Sequence, residues 1–345
     1  MGMGEFELIE RIFKRNNPIA LAQPAQAAIV SVANNVVLGI GDDCALLQPA
    51  PGMQLAVSSD MLVEGRHFFA DVDPAALGHK ALAVNLSDLA AMGAAPLGFT
   101  LALALPPERA ADEAWLTAFA GGLFALADAH ACPLVGGDTT GGPLNLSITI
   151  FGQVPAGQAL RRDGARLGDE LWVSGTLGDA RLALLALRGD ITLSPDMLAI
   201  ARQRLERPTP RLALGQALRG IATSAIDVSD GLTGDVGHIL KASGVGAVVE
   251  TESASDLVAS CAGCTSADAR FDAEFCLNLA LQGGDDYELA FTAPPDRHGA
   301  VRAAAHATGT PVTCIGAIQP TPGLWLARPN GARHPVAMRG FDHFG

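Results

Sequence analysis

The chain contains few charged residues and lacks any long run of apolar residues. Charged side chains make up 17% of its 345 positions and hydrophobic ones 49%, a balance that excludes a disordered chain. No stretch approaches the ~18 apolar residues of a membrane span, and the amino terminus interleaves charge with apolar residues where a signal peptide would have an apolar core. We therefore expect a cytoplasmic, globular protein that is long enough for two domains.

Basic residues are also scarce. Lysine and arginine number 23 against 36 aspartates and glutamates, so the formal net charge is −13. Nucleic acids and anionic membranes recruit basic surfaces, and neither is therefore expected as a partner. An acidic protein that binds an anionic nucleotide must reverse its electrostatic field locally, and divalent metal ions do this.

Several familiar catalytic motifs are absent. No G-x-x-x-x-G-K-[ST] segment is present, which excludes a P-loop nucleotide site at the level of the motif, and there is no G-x-S-x-G serine nucleophile. Gly39 and Gly41 lack the third glycine of a Rossmann fingerprint. The six cysteines do not make a disulfide framework, and the close pair Cys261 and Cys264 has no second pair at zinc spacing.

Aspartates follow short apolar stretches at four places. They are Asp43, Asp60, Asp138 and Asp227, the last in the segment D-V-S-D-G. For any one of them a turn or capping role is the simpler interpretation, but strand ends in α/β folds feed ligand-binding loops, so several together favour one site. Two unit negative charges ~4 Å apart repel by about 4 kcal/mol at an effective dielectric near 20. Such a cluster requires cations, and carboxylates with serine hydroxyls suit Mg²⁺.

A predicted helix carries a further aspartate. The helix begins after Asp73, an N-cap followed by proline, and ends near Met92. Its face is mostly alanine and leucine, yet Asn85 and Asp88 lie three residues apart on one side. An interior aspartate costs several kcal/mol to desolvate unless it is paired or metal-bound, which makes Asp88 a candidate ligand.

A domain boundary is predicted near residue 155. Short β-like runs alternate with helices up to that point, and a Pro-Ala-Gly segment followed by the basic residues 161–164 is typical of a crossing between domains. The second half begins with a strand, a glycine turn at Gly175 to Gly178, and a helix. That turn suits either phosphate binding or simple packing, and the sequence favours neither.

Seven segments, in chain order, resemble the thiamine-monophosphate kinase family. They are residues 39–47, 58–68, 83–93, 136–140, 226–231, 283–289 and 340–344. The strand-to-aspartate and G-G-D-T segments alone would indicate only the wider superfamily of ATP-binding synthetases that includes aminoimidazole ribonucleotide synthetase. The N-L-S-D-L-A-A-M-G helix, the G-G-[ED]-D-Y-E segment and the G-x-D-H-F ending are specific for the kinase.

The resemblance implies an α/β (α+β), two-domain synthetase-like fold. Residues 1–155 would form the ATP- and Mg-binding and dimerisation domain, whose sheet pairs across a homodimer into a barrel. Residues 156–345 would form an α/β domain that completes the ATP and substrate site.

The resemblance also assigns residues to ligands. Several Mg²⁺ ions would be held by Asp43, Ser58, Ser59, Asp60, Asp88, Asp138, Asp227 and Asp230, of which Asp60, Asp88, Asp138 and Asp230 would be catalytic. ATP would contact Gly137, Asp138, Arg162 and Ser229, and thiamine monophosphate would contact His67, Asp285 and Met338. Two positions depart from the family pattern, since glutamate is common at Asp285 and an aromatic residue at Met338.

The reaction implied is direct, in-line transfer of the γ-phosphoryl group of ATP to thiamine monophosphate, which yields thiamine diphosphate. The acceptor is already anionic, so little is required of a general base or a protein nucleophile. Positioning and electrostatic stabilisation would then carry the catalysis. Three alternatives remain open, namely a sister synthetase of the superfamily, a metal-dependent phosphohydrolase, and a non-catalytic nucleotide-binding protein.

Overall fold

The computed structural model describes residues 5–14, 35–41, 43–258, 272–338 and 340. Within these ranges, no helix combines the length and apolar character needed to cross a membrane. The chain forms two compact units. Unit 1 comprises Met1–Asn85 and Pro96–Pro155, and unit 2 comprises Leu86–Ala95 and Ala156–Gly345.

Unit 1 is built on a four-stranded sheet. Its elements are α1 (Glu5–Leu8) with a π-helical turn (Ile9–Phe13), β1 (Val36–Leu38), β2 (Leu46–Leu47), β3 (Met53–Val63), α2 (Pro74–Ala91, whose last residues belong to unit 2), β4 (Ala95–Leu105), α3 (Pro107–Ala110), α4 (Glu113–Ala129), β5 (Leu134–Gly141) and β6 (Asn145–Pro155). The sheet order is β3-β6-β4-β5, and β1 and β2 form a separate pair. Strands β3 and β6 are antiparallel, whereas β4 and β5 are parallel.

The sheet of unit 1 has one buried face. Alternate residues of β6, among them Ile148 and Ile150, are fully buried, and their neighbours are not. This period of two is the pattern of a sheet covered on one side. In the described residues the four strands form an open sheet and not a closed barrel.

Two helices of unit 1 begin after an aspartate cap, and α2 does so where the sequence predicts. Asp73 Oδ1 accepts a hydrogen bond from the Ala76 amide at 2.7 Å, so α2 has the expected aspartate cap. Asp112 caps α4 in the same way, with 3.0 Å to the Trp115 amide. The two helices pack very closely, because a Cβ added at Gly122 of α4 would lie 1.9 Å from the Ala75 carbonyl oxygen of α2.

Unit 2 is built on a seven-stranded sheet. Its further elements are β7 (Glu170–Ser174), α5 (Asp179–Leu187), α6 (Pro195–Glu206), α7 (Leu212–Ala217), β8 (Ser224–Val228), α8 (Leu232–Ser243), β9 (Gly246–Glu250), α9 (Thr251–Ser255), α10 (Ala273–Gln282), β10 (Glu288–Ala293), a 3-10 turn (Pro295–Arg297), α11 (His298–Thr308), β11 (Val312–Gln319), β12 (Gly323–Ala327) and β13 (Arg333–Val336). The order is β13-β12-β9-β11-β7-β10-β8, and the core between sheet and helices includes Leu171, Ile226 and Ile239. Both units are therefore mixed α/β structures, as the sequence predicts.

Candidate functional site

A glycine followed by an exposed aspartate lies at the middle of β5. Gly137 has a φ of 150°, and a Cβ at this position would lie 1.9 Å from the Leu101 carbonyl oxygen of β4. Only glycine fits so close to a neighbouring backbone. The next residue, Asp138, is exposed, so the G-G-D-T segment presents a carboxylate on a rigid strand.

Asp138 borders a cavity of about 520 Å³ in unit 1. The cavity is lined largely by apolar side chains, including Phe13, Ile40 and Phe151, together with Asp43 and the backbone around Gly137. A pocket of this size with mostly apolar walls and a few polar groups is typical of small-molecule sites. Two of the predicted metal ligands, Asp43 and Asp138, therefore border one cavity.

The predicted ligands on β3 do not all face the same way. Side chains alternate along a strand, so Ser58 and Asp60 lie on one face and Ser59 on the other. Ser58 and Asp60 are half-buried, whereas Ser59 is exposed and its hydroxyl lies 3.1 Å from that of Thr149 on β6. The resemblance treats the three residues alike, but the strand presents only Ser58 and Asp60 together.

Asn85 connects α2 to the aspartate of β3. Its side-chain carbonyl accepts the Asp60 amide at 3.2 Å, while its amide group donates to the Ala81 carbonyl at 3.0 Å. Asn85 is almost completely buried. The side of α2 that carries Asn85 and Asp88 therefore contacts a predicted metal ligand, Asp60, through Asn85, for which no such role was predicted.

His67 lies in a tight turn that follows β3. Its Nδ1 accepts a hydrogen bond from the Val63 amide at 3.0 Å, and Gly65 adopts the left-handed conformation that the turn requires. In the neutral ring the proton is then on Nε2. His67 is therefore oriented to donate a hydrogen bond from Nε2.

In unit 2, the predicted metal ligand Asp227 is buried and has a raised pKa. It lies at the end of β8, is 5% exposed, and accepts a hydrogen bond from the Ser87 hydroxyl at 2.8 Å. Burial and, after it, the negative charge of Asp88 raise the pKa of Asp227 to about 7, although the Ser87 hydroxyl and the charge of Arg162 lower it. The charges of Asp88, near the end of α2, and of Arg162 therefore both act on the Asp227 carboxylate in β8.

The turn after Asp227 is held by a second buried carboxylate. Asp235 Oδ2 accepts hydrogen bonds from the amides of both Ser229 and Asp230, each at 3.0 Å. Burial raises the pKa of Asp235 to about 7, and these two amides oppose the shift. The helix that carries Asp235, α8, begins at Leu232, directly after Gly231.

The G-G-D-D-Y segment packs directly on this turn. The amides of Asp285 and Tyr287 donate to the carbonyls of Ser229 and Val228, each at 2.8 Å. Asp285 and Tyr287 have φ values of 66° and 52°, a conformation that non-glycine residues adopt rarely and mostly at functional or strained positions. Asp285, which is predicted to contact thiamine monophosphate, is thereby held next to Ser229 and Asp230, which are predicted to contact ATP and metal.

The glycine turn before α5 is filled by the chain's own carboxylates. Asp286 Oδ2 accepts the Gly178 amide at 2.9 Å, and a Cβ at Gly175 would lie 2.1 Å from the Glu288 carboxylate. Glu288 is fully buried and is bound by Arg204 and Arg211, each at 2.6 Å. The groups that would receive a phosphate are therefore occupied, and the structure favours packing over phosphate binding at this turn.

Met338 packs on α8, and Gly340 packs on the turn before it. A Cβ at Gly237 would lie 2.9 Å from the Met338 Cβ, and one at Gly340 would lie 3.0 Å from the Asp230 Cβ. Met338 is 44% exposed. It thus packs its inner side on α8 and presents the rest to solvent, while the remainder of the G-x-D-H-F ending, residues 341–344, lies outside the described residues.

The comparisons with known proteins agree with this arrangement of motifs. The family model "AIR synthase related protein, N-terminal domain" matches residues 41–154. The thiamine-monophosphate kinase of Salmonella typhimurium is 46% identical over 348 residues, which cover 100% of this chain and 99% of the relative. The chain belongs to the thiamine-monophosphate kinase family.

Solved structures of the same family have the same fold. The thiamine-monophosphate kinase from Stenotrophomonas maltophilia is 48% identical, with a TM-score of 0.76 over 85% of this chain and 91% of that one. AaThiL, complexed with AMPPCP and TMP, is 29% identical, with a TM-score of 0.71 over 86% and 89% of the two chains. The resemblance drawn from the seven segments is confirmed, and the chain is a kinase.

All of the predicted metal ligands in this chain coordinate through oxygen atoms. Aspartates and serines with no histidine or cysteine among the predicted ligands match the hard oxygen donors that Mg²⁺ prefers. Among the described residues, however, no three acidic, histidine or cysteine side chains stand close enough together to form a metal centre in advance. The donor chemistry fits Mg²⁺, and individual ligand assignments stay predictions.

Two residues that contact the predicted ligands were not identified from the sequence. Ser87 lies inside the N-L-S-D-L segment beside Asp88, and only the fold shows that its hydroxyl binds Asp227. Asp235 lies in the first turn of α8, where acidic residues commonly bind free amides. The position of Asp235 in the first turn could therefore have predicted its hydrogen bonds to the amides of the preceding turn.

Proposed function

We propose that this kinase transfers the γ-phosphoryl group of ATP to the phosphate of thiamine monophosphate, giving thiamine diphosphate and ADP. The relatives named thiamine-monophosphate kinase and the complex of AaThiL with AMPPCP and TMP support this substrate pair. The observation that carries the proposal is the 2.8 Å hydrogen bond from the Asp285 amide to the Ser229 carbonyl. It joins Asp285, the predicted contact to thiamine monophosphate, to the turn of Ser229 and Asp230, the predicted contacts to ATP and metal.

Several Mg²⁺ ions form part of the proposal. Their ligands would be Asp43, Ser58, Ser59, Asp60, Asp88, Asp138, Asp227 and Asp230. Mg²⁺ bound by these oxygens would offset the repulsion between the two anionic substrates and the charge of the transferred group. Burial and the charge of Asp88 raise the pKa of Asp227 to about 7, and a cation bound beside it would offset both effects by stabilising the ionised form.

For ATP we assign Gly137, Asp138, Arg162 and Ser229. The apolar walls of the 520 Å³ cavity beside Gly137 suit the base of a nucleotide. Arg162 is exposed, and its guanidinium can form a bidentate contact with phosphate. These residues would hold ATP in one orientation, which is the main contribution a protein makes to phosphoryl transfer.

For the acceptor we assign His67, Asp285 and Met338. The Nε2 proton of His67 can donate to a phosphate oxygen. The Met338 side chain is half exposed, and its thioether provides a polarisable apolar surface for a ring where other family members have an aromatic residue. No protein nucleophile is required, since the acceptor oxygen itself attacks.

A homodimer whose two sheets form a barrel also belongs to the proposal, as does a cytoplasmic location. The open face of the sheet in unit 1 supports the dimer. Leu55, Val57 and Met61 of β3 are each more than half exposed and lie on one face by alternation. Contiguous apolar surface of this kind in a folded protein marks an interaction site.

Product analysis tests the reaction. The protein is incubated with MgATP and thiamine monophosphate, and thiamine diphosphate and ADP are quantified by chromatography, with parallel samples that lack either thiamine monophosphate or Mg²⁺. Equal amounts of the two products are expected. Release of inorganic phosphate without thiamine diphosphate would instead indicate a hydrolase, and binding without any turnover a nucleotide-binding protein.

Substitutions test the assigned metal ligands in the same assay. Asp60→Asn and Asp88→Asn are each expected to abolish turnover while the protein stays folded, because loss of one ligand charge weakens Mg²⁺ binding. Asp196→Asn is a matched control, since Asp196 is an exposed aspartate in the first turn of α6. Full activity of either ligand variant at saturating Mg²⁺ would remove that residue from the site.

A further inference from the structure

Asp235 is a buried carboxylate that binds two consecutive backbone amides. It is 4% exposed, and one of its oxygens, Oδ2, accepts from both Ser229 and Asp230 at 3.0 Å. Two hydrogen bonds to one buried oxygen constrain the direction of both amides. Asp235 therefore fixes the orientation of the two peptide units whose side chains are the assigned contacts to ATP and metal.

The same turn fixes the loop that carries Asp285. The carbonyls of Val228 and Ser229 accept the amides of Tyr287 and Asp285 at 2.8 Å. The two segments are in such close contact that a Cβ at Gly284 would lie 2.6 Å from the Ser229 carbonyl oxygen. A displacement of the turn therefore displaces the loop as well, since neither backbone has room to move independently.

We propose that Asp235 is a positioning residue for phosphoryl transfer, which holds the Ser229–Asp230 turn and, through it, the loop of Asp285. The proposal rests on the proposed function, because that assigns the roles of Ser229, Asp230 and Asp285. Asp235 is not among the residues assigned to either substrate. It acts only through the backbone that it binds, as residues behind metal ligands commonly do.

Two substitutions separate the hydrogen bonds from the charge. Asp235→Asn keeps one carbonyl oxygen, which can accept both amides in place of Oδ2, and removes the negative charge. Asp235→Ala removes both hydrogen bonds. Asp169→Ala is the matched control, because Asp169 is also buried in unit 2 and its Oδ2 accepts from the Arg166 amide and the Thr223 hydroxyl, outside all of the assigned site residues.

The kinetic measurements are kcat, calculated from the concentration of folded enzyme, the KM for each substrate, and the Mg²⁺ concentration for half-maximal rate. Hydrogen–deuterium exchange of residues 226–231 measures the stability of the turn. For Asp235→Ala we expect faster exchange and a loss of about 10- to 100-fold in Mg²⁺ affinity or kcat. Asp235→Asn should lie closer to the parent than to the alanine variant in every measurement. Asp169→Ala should lower the melting temperature and leave the Mg²⁺ dependence unchanged.

The result that overturns the proposal is an Asp235→Ala enzyme with the parent's Mg²⁺ dependence, kcat and KM values per folded molecule. An asparagine variant as impaired as the alanine variant overturns it too, because charge and not backbone positioning would then matter. If the alanine variant does not fold, Asp235→Glu replaces it, since the extra methylene displaces the acceptor oxygen. Failure of the parent to form thiamine diphosphate would instead refute the proposed function, while the exchange measurement would still test the positioning of the turn.

Discussion

The hydroxyl of Ser87 donates a 2.8 Å hydrogen bond to Oδ2 of Asp227, and neither residue is exposed to solvent by more than 5%. This contact joins the end of α2 to the end of β8 within unit 2. It lowers the pKa of a carboxylate that burial and the charge of Asp88 raise, and the pKa of Asp227 is about 7 with the Ser87 contact in place. Ser87 therefore favours the ionised form of Asp227, the form that binds a cation.

Substitution of Ser87 by alanine should weaken Mg²⁺ binding. Without the hydroxyl, the pKa of Asp227 rises further, and we expect about a tenfold increase in the Mg²⁺ concentration for half-maximal activity. The loss of a partner for a buried oxygen should also cost about 1–3 kcal/mol of unfolding free energy. Ser224→Ala, at a buried serine that contacts Thr292 instead, is the control. Equal Mg²⁺ dependence of both variants would contradict this role of Ser87.

Local rules predicted the start of α2 from the sequence, whereas the contacts of the site depend on tertiary structure. Asp73 followed by proline is enough to begin a helix, and it does so. By contrast, nothing local indicates that the amide of Gly178 is bound by Asp286, because the two residues are brought together by the pairing of β7 with β10. The glycine turn was therefore ambiguous in sequence and is filled in the structure.

Alternation along β3 explains a second limit of sequence analysis. A motif names Ser58 and Ser59 together because they are adjacent, but adjacent strand residues face opposite sides of a sheet. The structure shows this difference, with Ser58 half-buried and Ser59 exposed beside Thr149. Which face binds ligand depends on what covers each side of the sheet, and a single sequence does not contain that information directly.

Stability of the metal-free protein should fall as the pH rises through 7. Burial raises the pKa of both Asp227 and Asp235 from 3.8 to about 7, so the native state keeps protons that the unfolded chain has already released. Their contribution to stability is complete below about pH 4 and is lost as the pH rises through the folded-state pKa. Urea unfolding should therefore give a higher free energy at pH 5.5 than at pH 8.

Asp227→Asn and Mg²⁺ provide the tests of that assignment. An asparagine cannot ionise, so Asp227→Asn should reduce the difference in stability between the two pH values by about 1 kcal/mol or more. Mg²⁺ binds the deprotonated carboxylate and should stabilise the protein more at pH 8 than at pH 5.5. An unchanged pH dependence in the variant would show that other groups cause it.

Two neighbouring glycines of α4 should respond in opposite directions to substitution by alanine. A Cβ at Gly122 would lie 1.9 Å from the Ala75 carbonyl oxygen, whereas one at Gly121 has no neighbour within 4 Å. We expect Gly122→Ala to destabilise the protein by about 1–3 kcal/mol, because α2 and α4 must move apart. Gly121→Ala should stabilise it by up to about 1 kcal/mol through helix propensity. Denaturant unfolding of both variants measures the difference.

A charge on the open face of β3 should disrupt the proposed homodimer. Val57 is 56% exposed and lies between Leu55 and Met61 on that face. Val57→Glu places a carboxylate in an apolar interface, so we expect monomers in analytical ultracentrifugation. Leu167→Glu is the control, since Leu167 is 61% exposed in unit 2. A dimer that survives Val57→Glu at parent affinity would exclude this face as the interface.

Substitution of Asp285 should weaken the binding of thiamine monophosphate and leave the binding of ATP unchanged. Its φ of 66° makes alanine a poor test, because left-handed backbone strains alanine but is tolerated by asparagine. Asp285→Asn removes only the charge. We expect a rise of about tenfold or more in the KM for thiamine monophosphate, because a hydrogen bond to a neutral amide oxygen is weaker than one to a carboxylate, with an unchanged KM for ATP. Tyr287→Phe, which removes the 3.4 Å contact to Asp285, separates this effect from support of the loop. If both KM values rise together in Asp285→Asn, or if Tyr287→Phe reproduces its effect, Asp285 serves the loop conformation and does not bind the acceptor.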